Sequence, residues 1–434
     1  MFKTLSAPVS LQWEITPWCN HNCIHCYNFW RQGRLPFRLT DQDVQVCSQA
    51  AREIIANHVF HVTITGGEPL AVLPRLSSQI ALLSDAGINL AINTNLTLLT
   101  PDKVVLLREL GFKSILTSLM AADAMTNDYL AQTPGAYDRT VAGIKLAVEN
   151  GFPVAINMVV TKANLQHLDA TARLAKELGA VAFTATKASA PSNCPDFSEH
   201  QLEVGELQQM FVALLEASDK YDIVVDSLEH YPSCLMPSDD TLTKFGVRKC
   251  SAGKTGCTIG FDGQIRPCSH ASDIYGHVDN GLASAWQNMA EWRDLSLIPD
   301  GCQSCPAFPQ ICSAGCRVEG KTYSGTLAGK DPYCLQRPPT AIRRPNRLQL
   351  YPTETQFAVE ERVRFRREDF GGIAFYSSSR WLPVDENLYK TLRVAKEEGK
   401  HITAEEVANE LGVNVTAGAK TLRLLAQKNI VVAQ

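Results

Sequence analysis

The chain is 434 residues long, 45% of them apolar, with a formal net charge of −4. That length predicts about three domains, and the near-neutral balance excludes nucleic-acid or membrane binding driven by a strong field. No run of about 18 apolar residues occurs, so no transmembrane helix is predicted, and Met1-Phe2-Lys3-Thr4-Leu5-Ser6 lacks the apolar stretch of a secretory signal.

Residues 9–226 alternate between short apolar runs and helical spacing. The runs are Leu11–Ile15, Val62–Ile64, Leu90–Ile92, Ser114–Leu116, Val154–Ile156 and Val181–Phe183, and the helical stretches include 41–57, 101–110, 138–150 and 165–178. Gly87, Gly111, Gly151 and Gly179 stand where left-handed helix caps are expected. The repeat of about 25–30 residues is that of a βα unit. Roughly six units fit, short of the eight of a closed barrel. A partial (β/α)6 barrel or an open α/β sheet is therefore expected, with its site at the C-terminal strand ends. Cys19, Gly66-Gly67, Asn93-Thr94-Asn95 and Ser118 each follow a predicted strand and would share that end.

Residues 227–340 are richer in cysteine, glycine and proline, and long helical patterns fade. A segment with so little apolar core needs metal clusters to organise it. Residues 337–352, with Arg337-Pro338-Pro339 and Arg343-Arg344-Pro345, read as a linker. Residues 353–434 form a small domain. Strand-like runs at Val363–Arg366 and Ile373–Tyr376 precede amphipathic helices near 385–398, 403–411 and 416–428, the last two joined at Gly412 as in a helix-turn-helix.

Fourteen cysteines punctuate this chain. Three form Cys19-x3-Cys23-x2-Cys26. Eight more run Cys250-x6-Cys257-x10-Cys268 and Cys302-x2-Cys305-x6-Cys312-x3-Cys316-x17-Cys334. Thiolates at such spacing in a long unsignalled chain favour reduced, metal-binding cysteines and a cytoplasmic setting over disulfides. Zinc loops are the alternative for the thiols taken alone. The first set has three ligands and lacks a fourth, which leaves one iron of a cluster open. Cys47 lies on a predicted helix among apolar neighbours and reads as core. Cys194 and Cys234 are on loops, either incidental or hydrogen-atom donors of an epimerase.

The stretch Cys19–Cys26 after the first strand, followed by Thr65-Gly66-Gly67-Glu68-Pro69 after the second, resembles the radical S-adenosylmethionine (SAM) superfamily. By that resemblance, Cys19, Cys23 and Cys26 hold a [4Fe–4S] cluster whose open iron binds SAM. Gly66, Gly67, Glu68, Pro69, Asn95 and Ser118 would contact SAM, and a 5′-deoxyadenosyl radical would abstract hydrogen from an unactivated carbon. The sequence departs from the family at His25, at Ser118-Leu119-Met120-Ala121, and where an arginine is usual near Tyr129. The downstream cysteines, with Gly263-x4-Cys268, resemble the SPASM extension. That implies two auxiliary [4Fe–4S] clusters, one on Cys250, Cys257, Cys268 and Cys316 and one on Cys302, Cys305, Cys312 and Cys334. Full ligation suits electron transfer and an oxidative reaction. His270 or Asp273 is the candidate for proton transfer, since no aspartate matches the base of sulfatase-maturing relatives.

Residues 361–372, with Glu386-Asn387-Leu388-Tyr389 and the last two helices, resemble PqqD-like recognition elements, winged-helix folds that bind the leader of a ribosomally made precursor peptide by strand addition. Arg362, Arg364, Arg366 and Arg367 would suit an acidic leader. A DNA-binding winged helix is the competing reading, without a dense basic face on its last helix. The whole implies three domains (1–226, 227–340, 353–434), three [4Fe–4S] clusters and SAM. It also implies a precursor peptide, an electron donor such as flavodoxin or ferredoxin, and no nucleic-acid or membrane partner. The expected reaction is an oxidative side-chain crosslink; epimerisation, thioether formation, backbone excision or a non-catalytic peptide chaperone are its alternatives.

Overall fold

A computed structural model describes residues 4–30, 38–190, 197–337 and 351–434. Cys194 and nearly all of the proline- and arginine-rich linker lie outside them. The chain forms two compact units. One holds the alternating segment and the cysteine-rich segment together. The other joins the described residues up to Ser10, the segment His58–His61 and residues 351–434.

The larger unit runs β1 (Ser10–Glu14), α1 (Asp41–Ala56), β2 (His61–Thr65), α2 (Ser77–Asp85), β3 (Asn89–Asn93), α3 (Pro101–Glu109), β4 (Phe112–Ser118), α4 (Ala124–Ala131), α5 (Ala136–Glu149), β5 (Val154–Val160), α6 (Leu168–Glu177), β6 (Ala182–Lys187), α7 (Val204–Tyr221) and β7 (Val224–Asp226). The cysteine-rich part follows as α8 (Asp239–Thr241), β8 (Gly256–Ile259), β9 (Gln264–Arg266), β10 (Gly276–His277), α9 (Leu282–Asn288), α10 (Asp300–Gln303) and α11 (Arg317–Ser324). Local chemistry sets the boundaries. Thr40 and Asp43 close a capping box on α1, Thr100 caps α3 ahead of Pro101, and Asp123 caps α4. Gly87, Gly111, Gly151 and Gly179 all turn with φ between 73° and 77°, ending α2, α3, α5 and α6 where the sequence predicts.

One sheet carries this unit, in the order β10-β9-β8-β1-β2-β3-β4-β5-β6-β7. β3 to β7 are parallel neighbours, whereas β8, β9 and β10 are antiparallel. The expected six βα strands are present and a short seventh follows. The cysteine-rich hairpin extends the same sheet, next to β1. Trp13, Ile64, Leu90, Ile92, Ile156 and Phe183 are buried in its core. Among the described residues no helix is long and apolar enough to cross a membrane.

The smaller unit contains β11 (Phe357–Val359), β12 (Arg364–Glu368), β13 (Gly371–Ser377), β14 (Arg380–Asp385), α12 (Glu386–Glu398), α13 (Ala404–Leu411), α14 (Val415–Gln427) and β15 (Val431–Ala433). β12-β13-β14 is an antiparallel sheet, and β11 pairs with β15. α12 lies against β13 so closely that a Cβ on Gly372 would sit 2.1 Å from the Tyr389 ring. The expected helices and the first two sheet strands appear within a few residues. β14 is less visible in the sequence because Pro383 interrupts its run.

Two of the four arginines expected to suit an acidic leader, Arg364 and Arg366, are taken up inside the unit rather than presented on its surface. Arg366 is buried and donates to Ala7 O (2.7 Å) and Pro8 O (2.8 Å) while pairing with Glu368 (2.8 Å), whose other oxygen accepts from Ser6 N (2.7 Å). Arg364 lies over the stacked rings of Phe60 and Phe375 and donates to Phe60 O. Arg367 pairs with Glu386, which leaves Arg362 exposed. A guanidinium with five donors suits this caging of carbonyls. Arg366→Met strands the Glu368 carboxylate in the interior and is expected to cost about 3–5 kcal/mol. Differential scanning calorimetry checks this: the transition of this unit should fall by several degrees or merge with unfolding at ordinary temperature.

Candidate functional site

The loop after β1 and the loop after β2 are zipped together by backbone bonds: Gly67 N to Thr16 O (2.8 Å) and Glu68 N to Trp18 O (2.7 Å). Asn28 Nδ2 closes the far side on Gly66 O (2.9 Å). The approach is too tight for any side chain. A Cβ on Gly67 would stand 1.9 Å from Trp18 O, and Gly66 has φ of +123°. Glu68 is fully buried, its carboxylate taken by Thr94 Oγ1 (2.6 Å), Asn95 N (2.8 Å) and Leu70 N (2.9 Å). It therefore fastens the end of β2 to the end of β3. Pro69 is buried and opens the following turn.

Around the first thiols, His21 N donates to Cys19 Sγ (3.4 Å), and Asn95 Nδ2 sits 4.0 Å from that sulfur while donating to Asn20 (2.8 Å). Thr97 holds the Asn95 amide from the other side at 2.7 Å. Asn95 thus orders the cysteine loop with the same group expected to reach SAM. Asn22 N and Ile24 N bond the end of α4, at Ala131 O and Leu130 O. Ser118 is exposed at the end of β4, in register with Asn157 of β5.

The first auxiliary set lies along the sheet extension. Cys257 is on β8, Cys268 follows β9, and Cys316 precedes α11. The sulfurs of Cys250, Cys268 and Cys316 are close enough to act on one another's charge. Burial pushes Cys257 and Cys268 up to about 12 and Cys316 well above its usual value. The thiols would thus stay protonated without a cation to compensate. Yet backbone N–H groups of His270 and Ala271 point at Cys268 Sγ, and that of Glu319 at Cys316 Sγ. In the second auxiliary set, Cys302 contacts Cys334, Ser233 N donates to Cys312 Sγ (3.5 Å), and Cys305 N bonds Cys302 O (3.1 Å).

Arg317 is buried next to Cys316, caged by the carbonyls of Leu297 (2.9 Å), Gly329 (3.2 Å) and Ala314, and its Nε has no hydrogen-bond partner. An anionic cluster supplies what such a guanidinium lacks. Sulfur-directed amides, cation-starved thiols and this orphaned donor all fit iron–sulfur clusters. Among the described residues, no three His, Cys, Asp or Glu side chains are gathered as for a single metal ion.

Two contacts absent from the sequence reading join these sites. Tyr27, after Cys26, stacks on His270, after Cys268, with ring centroids 4.1 Å apart. Glu14 of β1 pairs in the interior with Arg266 of β9, which also donates to Ser269 O (3.2 Å) and Ala271 O (3.0 Å). Burial of Glu14 outweighs the neighbouring guanidinium and pushes its carboxyl up to about 7. A third buried group lies at the end of β6. Lys187 reaches Glu319 (2.6 Å) and Glu229 (3.2 Å) and donates to Ser189 (2.9 Å). Burial lowers the Lys187 ammonium, but the two carboxylates more than offset it and hold it well above its usual value. Burial also opposes ionisation of Glu319, yet Lys187 prevails and its net shift is downward. His270 is held below its usual value, first by burial, and so stays neutral. Asp273 pairs with Lys321. A charged residue closing a largely buried strand, as Glu14 and Lys187 do, was the available signal.

Residues 13–175 match the family model described as the radical SAM superfamily. The chain carries a radical SAM domain. Such a domain implies SAM and a [4Fe–4S] cluster, which the loop of Cys19, Cys23 and Cys26 fits. The chain is 28% identical over 354 residues to an AdoMet-dependent heme synthase of Methanosarcina barkeri, covering 78% of this chain and 99% of that protein. It is 28% identical over 343 residues to the mycofactocin maturase MftC of Mycobacterium tuberculosis, covering 77% and 84%. The fold resembles Streptococcus suis SuiB bound to precursor peptide SuiA, with a TM-score of 0.60 at 18% identity over 76% of this chain and 77% of that one.

Two outcomes test the domain's construction. Gly67→Ala should lose the iron of the first cluster while the protein stays folded, read by iron analysis and circular dichroism. Lys187→Met leaves the buried Glu319 and the half-buried Glu229 without their shared cation and should cost about 3–5 kcal/mol. The depressed Glu319 value means that its stabilisation is present above the ordinary 4.5 and is lost as pH falls through its lower folded value. Denaturant midpoints should therefore drop below about pH 4 in wild type, and that acid limb should flatten in the Lys187 variant.

Proposed function

We propose that this protein is an oxidative radical SAM peptide maturase that modifies a ribosomally made precursor, with a side-chain crosslink as the product. The observation that carries the reading is the convergence of two cysteine loops through the Tyr27–His270 stack. It ties the SAM-cluster loop directly to the loop of the first auxiliary set. When bound, SAM and the three clusters supply a hydrogen-abstracting 5′-deoxyadenosyl radical and a place for the substrate's electron. Cys19, Cys23 and Cys26 would hold the first cluster. Cys250, Cys257, Cys268 and Cys316 would hold the second, and Cys302, Cys305, Cys312 and Cys334 the third.

The chain's own residues do the rest. Gly66 and Gly67 admit the methionyl part of SAM against bare backbone, and Ser118 is exposed at the same strand ends. Neutral His270 presents a ring nitrogen for the proton released on oxidation, with Glu229 and Glu319 nearby to stabilise the imidazolium. The C-terminal unit would grip the leader along β14, the sheet edge where Trp381 and Leu382 are half-buried. MftC, and SuiB with its precursor peptide, support a peptide substrate. Flavodoxin or ferredoxin would deliver the starting electron.

A second reading, a step of heme synthesis, is favoured by the likeness to the heme synthase. That match spans 99% of the relative but 78% of this chain, so about a fifth of the chain is unaccounted for by it, the size of the C-terminal unit. Anaerobic assays with peptides encoded near the gene separate the two. A peptide product lighter by two hydrogens, with fragmentation locating the bond, supports the maturase; conversion of a tetrapyrrole in its place supports the second reading. Replacing Cys19, Cys23 and Cys26 together by alanine should abolish 5′-deoxyadenosine formation, and persistent cleavage of SAM would sink either.

A further inference from the structure

A cysteine outside the expected ligand set, Cys234, lies against Cys334, which also contacts Cys302, itself within reach of the charge of Cys312. Cys234 enters from the loop after β7, and its Sγ lies 3.9 Å from Cys334 Sγ. The adjoining backbone treats the two sulfurs alike. Leu335 N donates to Cys234 Sγ at 3.2 Å, and Gln336 N points at both sulfurs. Gln336 has φ of +55°, which turns two successive N–H groups toward the pair and forms a small anion-binding concavity. Next to Cys234, Ser233 N donates to Cys312 Sγ (3.5 Å), so the Cys234 loop is already attached to this ligand set. N–H groups aimed at a sulfur stabilise a thiolate, the form that binds iron. Both residues are half-buried.

We infer that Cys234 and Cys334 are alternative ligands to one corner of the second auxiliary cluster. This rests on the reading that a cluster occupies the site. In the exchange, the iron–sulfur bond to Cys334 breaks and one to Cys234 forms. The Cys234 thiol proton passes to Cys334 across their contact, and no electron is gained or lost. A fully ligated [4Fe–4S] cube takes one thiolate per iron, so with four ligands already expected the Cys234 thiol is a spare, held by the same amides that reach Cys334.

The test uses full-length protein, reconstituted anaerobically and assayed for iron, sulfide and electron paramagnetic resonance of each reduced cluster. Cys334→Ala and Cys234→Ala should each keep wild-type iron, with a changed signal from one cluster. The double variant should lose about a third of the iron, one cluster of three. Cys305→Ala, with no spare thiol beside it among the described contacts, should lose the same third by itself. Equal loss in Cys334→Ala and in the double variant overturns the inference. If the double variant fails to fold, retention in Cys334→Ala against loss in Cys305→Ala decides it. Wild-type protein without a third cluster overturns the inference and the three-cluster reading together.

Discussion

The Glu14–Arg266 pair is the constraint on which the site depends. Clusters held by both cysteine groups would work together only at fixed separation, and the two groups are more than two hundred residues apart in sequence. The sheet solves part of this by accepting the β8–β9–β10 hairpin beside β1. Register in a sheet is set by the side chains that its strands bury rather than by the ladder's hydrogen bonds alone. A buried guanidinium held by a carboxyl does not slip, because leaving Arg266 in the interior without Glu14 costs several kcal/mol. Arg266 also gathers two carbonyls of the loop after Cys268. One guanidinium thus fixes the auxiliary loop to the strand that leads into Cys19.

Charge balance extends the same logic across the unit. Buried thiols with raised pKa values, a guanidinium with an orphaned Nε and a lysine between two glutamates would be poor choices for a core built for stability alone. The thiols are coherent if iron supplies the cation they lack, and the Arg317 guanidinium if the resulting cluster is anionic; Lys187 is already balanced by its two glutamates. Lys187 then serves a second purpose. It keeps Glu319 ionised one helical turn beyond Cys316, so the field at His270 is set by residues on three different elements. Neutral imidazole beside paired carboxylates can accept a proton, which an imidazolium could not.

Much of this was legible in the sequence. Alternating runs, helix-ending glycines and the two cysteine spacings led to the sheet, its order of elements and the strand-end location of Cys19, Gly67 and Ser118. These are local signals, each written within a few residues. Glu68 shows the limit. Its motif marks it as important, yet only the fold reveals that its carboxylate ties β2 to β3, because its partners Thr94 and Asn95 are set by strand adjacency. Tyr27 and His270, or Cys234 and Cys334, meet across long stretches of chain, and no spacing rule encodes such encounters.

The arginines of β12 make the converse point. As a sequence they read as charge awaiting an acidic partner. In the structure, Arg364 and Arg366 are internal fasteners, since a guanidinium can satisfy several carbonyls and stack on aromatic rings where an ammonium would remain underbonded. The consequence bears on how a peptide would be recognised. With Arg364 and Arg366 taken up inside, a peptide on this unit would rely more on backbone pairing along β14 and on apolar contacts to Trp381 and Leu382, with Arg362, Arg367 and Arg380 as the exposed charges that remain. Pro383 removes one donor from that edge, which discourages indiscriminate strand addition. Any partner strand added there would have to match that gap.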